Sequence, residues 1–384
     1  MSKIVDILVY PVYSEATSAI SGYLPFQKSL EKTVRRGYSS CFVKVVTEDG
    51  LYGFGECWVR EVPQATAEIV RRLLKNIVVG KSPFDIEVLW EEMFASLKNR
   101  GHTRGYFIEA LAGIDIALWD LKGKILQQPV YNLLGGRFRE NLKAYASSIV
   151  FGKPLEMAKR AREWVDEGHD QIKVKVGMGV ERDIENLKAI RDEVGKDVEI
   201  MADANSAYNF NSALKLARFL ERIEVRWFEE PLPAYDLKGY IALKKKVDVP
   251  IACGESLFTA YDFRDYIENE AVDIIQPDIA RAGGITECSR IVHLARAYNI
   301  QYSPHVGLSG AGCRAATLHL SASICPETFL TYEVYDIKES PNPFSNSICN
   351  RPVEIFSKGY VKVPEGIGLG LEIDEKKLEQ FLCK

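Results

Sequence analysis

The hydrophobic period of the chain changes near residue 136. Before it, IVDILVYPVY and SSCFVKVVTEDGLYGFGEC alternate apolar and polar positions as strands do, and the turn EDG splits the second into a β-hairpin. Residues 63 to 100 and the stretch FIEALAGIDIALWDLKGKIL carry Ala, Leu and Ile at helical spacing. Together they predict an α+β unit that stops at Gly135 and Gly136 in YNLLGGRF.

Beyond Gly136 strand-like and helix-like segments repeat. Eight strand candidates follow in order: LKAYASSI, QIKVKV, VEIMADAN, VRWFEEP, VPIACGES, VDIIQPDI, IQYSPHV and TFLTYEV. The amphipathic stretch ERDIENLKAIRDEV follows the second and NSALKLARFLERI the third. Eight parallel strands with intervening helices predict a (β/α)8 TIM barrel. A doubly wound open sheet is the rival, disfavoured because no G-x-G-x-x-G opens the first strand-to-helix turn.

Polar residues inside this pattern carry the chemistry. In QIKVKV, Ile172, Val174 and Val176 alternate with Lys173 and Lys175, so the two lysines share a face. Taken alone, such a run is most simply an amphipathic edge strand with both lysines in water. The other strand ends change that reading. Lys175, Asp203, Glu229, Glu255, Asp278, His305 and Glu333 fall near successive C-terminal strand ends, at spacings of 28, 26, 26, 23, 27 and 28. In a barrel, one polar residue per repeat converges on a single mouth. Alternation puts Glu199, Met201 and Asp203 on one face, Trp227 with Glu229, and Ile251 and Cys253 with Glu255.

Three neighbouring carboxylates repel one another unless a cation lies among them, and ligation by oxygen alone suits Mg2+ or Mn2+ rather than zinc. Asp203, Glu229 and Glu255 are therefore the expected ligands, with separate ion pairs to barrel lysines as the alternative. Glu230 is expected to point away from the barrel axis into a structural contact. Two bases remain: Lys175, one strand before the first acid, and His305, placed where Asp278 could orient its imidazole. His169, His293 and His319 stand in helical contexts and read as structural, whereas His102 lies in a loop and stays open.

Composition narrows the partners. The 384 residues, 47% hydrophobic, suffice for one large domain and a smaller one, and a net charge of -4 gives no reason to expect nucleic acid or an anionic membrane. The start lacks a secretory h-region and no apolar run reaches membrane-spanning length, so a soluble, unprocessed chain is expected. Eight scattered cysteines with no C-x-x-C fit a reducing cytoplasm. The expected partner is a small-molecule carboxylate substrate, and the chain is expected to form a homo-oligomer.

These residues resemble the enolase superfamily and, within it, the mandelate racemase subgroup. The matching stretches are KVK at 173 to 175, DAN at 203 to 205, FEEP at 228 to 231, GES at 254 to 256, QPDIARAGG at 276 to 284, SPH at 303 to 305 and YEV at 332 to 334. GIDIALWDLKGK with PVYNLLGG is similar to the segment joining the family's capping domain to its barrel. The resemblance implies an α+β capping domain over residues 1 to 135, a modified barrel over 136 to 340, and a segment from 341 to 384 returning to the cap. It implies Mg2+ on Asp203, Glu229 and Glu255, Lys175 as one base and the His305–Asp278 dyad as the other. It further implies Glu333 as a hydrogen-bond donor to the substrate carboxylate and Lys173 as a charge that neutralises it. Lys173 and the metal are expected to lower the Lys175 pKa.

The implied reaction removes the proton α to a carboxylate. Dehydration of a sugar acid such as an aldonate to a 2-keto-3-deoxy acid is the expected outcome, by analogy with relatives that carry this dyad. A racemase or epimerase is the alternative, and a non-catalytic metal-stabilised binding protein a more distant one. A zinc hydrolase is disfavoured because the acids include no histidine pair. Substrate contacts are expected from Asn205 and from cap loops at 20 to 27 and 58 to 60, with Tyr23, Gln27 and Arg60 as hydroxyl readers.

Overall fold

The computed structural model of the protein describes residues 2–16, 37–335 and 340–383. The cap begins with three antiparallel strands, β1 (Ile4–Glu15), β2 (Gly37–Thr47) and β3 (Tyr52–Cys57), in that spatial order. The EDG turn joins β2 to β3, with Gly50 at a φ of 81°. One face of this sheet packs Ile7, Cys41, Val43 and Val45 against the cap helices. Gly53 and Gly55 allow the helix Tyr106–Leu126 to lie directly on β3. A Cβ at Gly55 would stand 2.0 Å from the Gly113 carbonyl oxygen.

The barrel contains the eight strands expected: β4 (Asn141–Ile149), β5 (Gln171–Lys175), β6 (Glu199–Asp203), β7 (Phe228–Glu229), β8 (Ile251–Cys253), β9 (Ile274–Ile275), β10 (Gln301–Tyr302) and β11 (Tyr332–Val334). Neighbours from β4 to β10 pair in parallel, β11 pairs with β4, and a Tyr302–Phe329 bridge closes the ring. Tyr145, Met201, Trp227, Ala252 and Ile274 fill its interior, while Ile200, Phe228, Ile251 and Cys253 face the outer helices. This corrects the alternation expected for β8, where Ala252 and not Ile251 or Cys253 points inward.

After β11 the described chain forms a hairpin of β12 (Phe356–Ser357) and β13 (Tyr360–Lys362). β13 pairs antiparallel with β4 at Asn141 to Lys143. Further on, Glu375 accepts from Tyr10 Oη at 2.7 Å and from Lys44 Nζ at 2.6 Å, and Cys383 N donates to the Pro11 carbonyl at 2.8 Å. The tail thus touches both the barrel and the cap sheet. No helix among the described residues is long and apolar enough to cross a membrane.

Candidate active site

Strand register brings the acids together. Lys175 lies beside Asp203, and Asp203 beside Glu229, in the parallel ladders of β5, β6 and β7. Glu255 reaches the same place by another route: β8 ends at Cys253, and Gly254 turns the chain at a φ of 151°. A side chain there would meet the Gln276 backbone nitrogen at 2.6 Å, so the turn requires glycine. Oxygens of Asp203, Glu229 and Glu255 all lie within 4.8 Å of one another.

Donors already hold part of this cluster. Glu229 accepts from Lys173 Nζ at 2.6 Å, Gln276 Nε2 at 2.7 Å and Trp227 Nε1 at 3.0 Å. Burial pushes its carboxyl up to about 7, against the pull of Lys173, and the neighbouring acids add to the rise. Ion pairs to lysines account for Asp203 and Glu229 but not for Glu255, whose cation partner is His305 Nε2 at 3.4 Å. Glu255 Oε2 is buried and accepts no hydrogen bond. A buried acidic cluster of oxygen donors with an unsatisfied oxygen fits a hard divalent cation.

Lys173 is 1% exposed, with Nζ also 3.0 Å from Glu333 Oε1. It pairs with Glu229 and Glu333 within the barrel. Glu333 accepts from Ser147 Oγ at 2.5 Å, Val306 N at 2.7 Å and Gly307 N at 3.0 Å. Burial would raise its pKa, but Lys173 and His305 hold it below the ordinary carboxylate range. In this structure all three of these contacts are made to it as an acceptor.

Lys175 Nζ donates to Asp203 Oδ2 at 2.5 Å and to Asn205 Oδ1 at 2.8 Å. Burial lowers its pKa and Lys173 lowers it further, yet Asp203 together with Glu255 and Tyr335 holds it above its ordinary value. Lys173 thus acts in the expected direction, but the protein's charges taken together act the other way. Asn205 also reaches Glu255 Oε1 from Nδ2 at 3.3 Å, and so links the lysine to the acids. His305 Nδ1 lies 2.8 Å from Asp278 Oδ2, as expected for the dyad. Burial opposes its charge, but Glu255, Glu333 and Asp278 raise its pKa to about 9.

Lys175, Asn205, Glu255 and His305 line one cavity of about 530 Å³. Arg60 lines it from the cap, whereas Tyr23 and Gln27 lie outside the described residues. Glu230 lines it too, contrary to expectation. β7 ends at Glu229, and Glu230 has a φ of 38°, so strand alternation no longer governs it; its carboxylate accepts from Ser206 Oγ at 3.2 Å. Sequence reading missed Tyr106, Glu109, Arg281 and Tyr335 in this wall. Only Arg281 carried a signal, three residues beyond Asp278 within QPDIARAGG. Of the remaining histidines, His319 is buried and accepts from Tyr131 N at 3.2 Å, His169 stacks on Phe356, and His102 packs edge-on to Phe107.

The chain matches families described in these terms. Residues 156–377 match the Enolase C-terminal domain-like family, and residues 17–135 match the Mandelate racemase / muconate lactonizing enzyme N-terminal domain. It is 33% identical to a D-galactarolactone cycloisomerase of Agrobacterium fabrum over 93% of this chain and 94% of that one. It is also 33% identical to an arabinonate dehydratase of Saccharolobus solfataricus over 89% of this chain and 90% of that one. The crystal structure of a 3,6-anhydro-D-galactonate cycloisomerase from Zobellia galactanivorans superposes with a TM-score of 0.87 at 31% identity, over 100% of both chains. With strand-end acids, a lysine and a histidine–aspartate pair at one barrel mouth beneath an α+β cap, the chain belongs to the enolase superfamily, in its mandelate racemase and muconate lactonizing enzyme branch.

Proposed function

We propose that this protein dehydrates a sugar acid to a 2-keto-3-deoxy acid, with Lys175 and His305 as its two proton-transfer groups. The observation that carries this reading is their placement in one cavity. In the ring of strands, Lys175 stands one strand before the first acid and His305 two strand positions after the last. Asp203, Glu229 and Glu255 would hold Mg2+. Bound there, the ion stabilises the charge that develops on the substrate carboxylate and takes up the Asp203 charge that otherwise keeps Lys175 protonated.

Lys175 then removes the proton from the carbon α to the carboxylate. His305, in its protonated form and oriented by Asp278, gives its proton to the departing β-hydroxyl, which leaves as water. The resulting enol tautomerises to the 2-keto acid. Lys173 holds Glu229 and Glu333 in place, and Asn205 holds Lys175 against the acids.

The relatives named for cycloisomerisation favour a second reading, in which the same abstraction is coupled to opening or closing of a ring oxygen. Return of the proton from the opposite face would instead give an epimerase. Assay of a panel of sugar acids and their lactones with Mg2+ separates these outcomes. A 2-keto acid formed from an open-chain acid supports dehydration. Configurational inversion, or turnover confined to lactones, replaces it.

A further inference from the structure

One wall of the cavity lies opposite in origin to the strand-end acids, and the proton-transfer scheme leaves it without a role. Arg281 sits in the short helix Ile279–Ala282 just beyond Asp278. Its guanidinium carbon stands 4.7 Å from the centre of the Trp58 ring and 5.2 Å from that of Phe258. Its Nε donates to Glu109 Oε1 at 3.3 Å. Trp58 and Glu109 come from the cap, and the Trp58 amide donates to the Ala280 carbonyl at 3.4 Å, which ties the two parts together. Arg281, Glu109 and Trp58 line the same cavity as Lys175 and His305.

Two features of this wall define what it can receive. Glu109 compensates the charge of Arg281, so the pair offers guanidinium donors without net positive charge. Glu109 is also 3% exposed, and its Oε2, which accepts no hydrogen bond, has almost no accessible surface, so a ligand meets it through a small shift of the side chain. A buried carboxylate oxygen without a donor is costly, and a donor from a ligand would relieve it. A hydroxyl meets both conditions, since it accepts from the guanidinium and donates to the carboxylate. A second carboxylate meets only the first: it accepts from the guanidinium, but it has no donor for Glu109 and sets an anion against it.

We propose that Arg281 and Glu109 form a distal subsite for a hydroxyl-bearing substrate end, so that the protein selects monocarboxylate sugar acids, aldonates, over dicarboxylate ones, aldarates. The proposal rests on the proton-abstraction reading above and adds how the far end of the substrate is recognised. Arg60, in the same cavity, is the group that would favour the opposite choice.

The test compares kcat/KM for aldonates and aldarates matched in length and configuration, with Mg2+ at pH 8. There the Glu109 carboxyl, raised to about 7 by burial, is ionised. α-Hydrogen exchange in D2O is read alongside. Wild-type protein should favour the aldonate by about 10²-fold, the scale of a like-charge clash. Glu109→Gln should narrow that ratio by about tenfold through a gain on the aldarate. Arg281→Lys, which keeps the charge but loses the planar fork, should lose about tenfold on the aldonate. An aldarate preference, or an unchanged ratio in Glu109→Gln with Arg281→Lys also unaffected, overturns the subsite while proton abstraction stands. An aldarate preference abolished by Arg60→Gln would assign the distal end to Arg60 instead. If neither class exchanges its α-hydrogen or yields a keto acid, the proton-abstraction reading fails and the subsite falls with it.

Discussion

The floor and the cap-side wall of the cavity are built on different principles. The floor is a ring of strand ends in which each charge has an opposite neighbour: Lys173 against Glu229 and Glu333, Lys175 against Asp203, and His305 against Asp278. Those pairs hold the Glu333 and Asp203 carboxyls below their ordinary values despite burial. Burial wins at Glu229 in the floor and at Glu109 in the wall, each pushed up to about 7 against a single close cation, Lys173 for the first and Arg281 for the second. The floor couples several opposite charges around the acids and suits charge and proton movement, whereas the wall holds a single pair and suits discrimination. Changes to the floor should therefore abolish turnover, and changes to the wall should redistribute it.

The largest effect is expected at the two proton-transfer groups. Lys175→Ala and His305→Asn should each lower kcat by roughly 10²- to 10⁴-fold with melting temperatures near wild type, as read by steady-state kinetics and thermal unfolding. Next come the acids. Asp203→Asn and Glu255→Gln should weaken Mg2+ binding by at least about 10²-fold in calorimetric titration, because even groups that only support a metal ligand commonly cost 10- to 100-fold. Mg2+ affinity unchanged in both would remove the metal from the account. EDTA should silence wild-type protein, and Mg2+ should restore it.

The wall supplies the smaller effects. Because the folded Glu109 pKa lies above its unfolded value, its contribution to stability is present below about pH 4.5 and lost as the pH rises through about 7. Wild-type protein should thus lose on the order of 3 kcal/mol relative to Glu109→Gln across that window, a difference readable from denaturant unfolding at several pH values. A flat difference would show that Arg281 keeps the carboxylate ionised throughout. Trp58→Ala removes the surface on which Arg281 rests and should raise KM about fivefold with kcat nearly unchanged, since cation–π support is worth about 1 kcal/mol. A kcat loss as large as that of Lys175→Ala would erase the distinction between floor and wall.

The same division decides what could be read from sequence. Lys175, Asp203 and Glu229 were legible because they end regular strands, where alternation and near-constant spacing fix their direction. Glu255 was placed correctly by a faulty argument: alternation put Ile251 and Cys253 inside the barrel, whereas the Gly254 turn is what returns Glu255 to the mouth. Glu230 was misplaced for the same reason, since it lies one residue beyond its strand. The protonation of Lys175 and the acceptor role of Glu333 depend on which neighbours win electrostatically, and periodicity carries no information about that. The wall was almost wholly hidden. Glu109 and Arg281 are 172 residues apart in sequence and meet only through packing of the cap on the barrel.

In the proposed reaction Lys175 and His305 move protons at the carbon α to a carboxylate. NMR of α-hydrogen exchange in D2O, with Mg2+ and a substrate found in the panel, tests it most directly when wild type, Lys175→Ala and His305→Asn are compared. We expect Lys175→Ala to abolish both exchange and product, and His305→Asn to form no product while retaining some exchange, because Lys175 abstracts the proton and His305 expels the hydroxyl. Exchange undiminished in both variants would contradict the account.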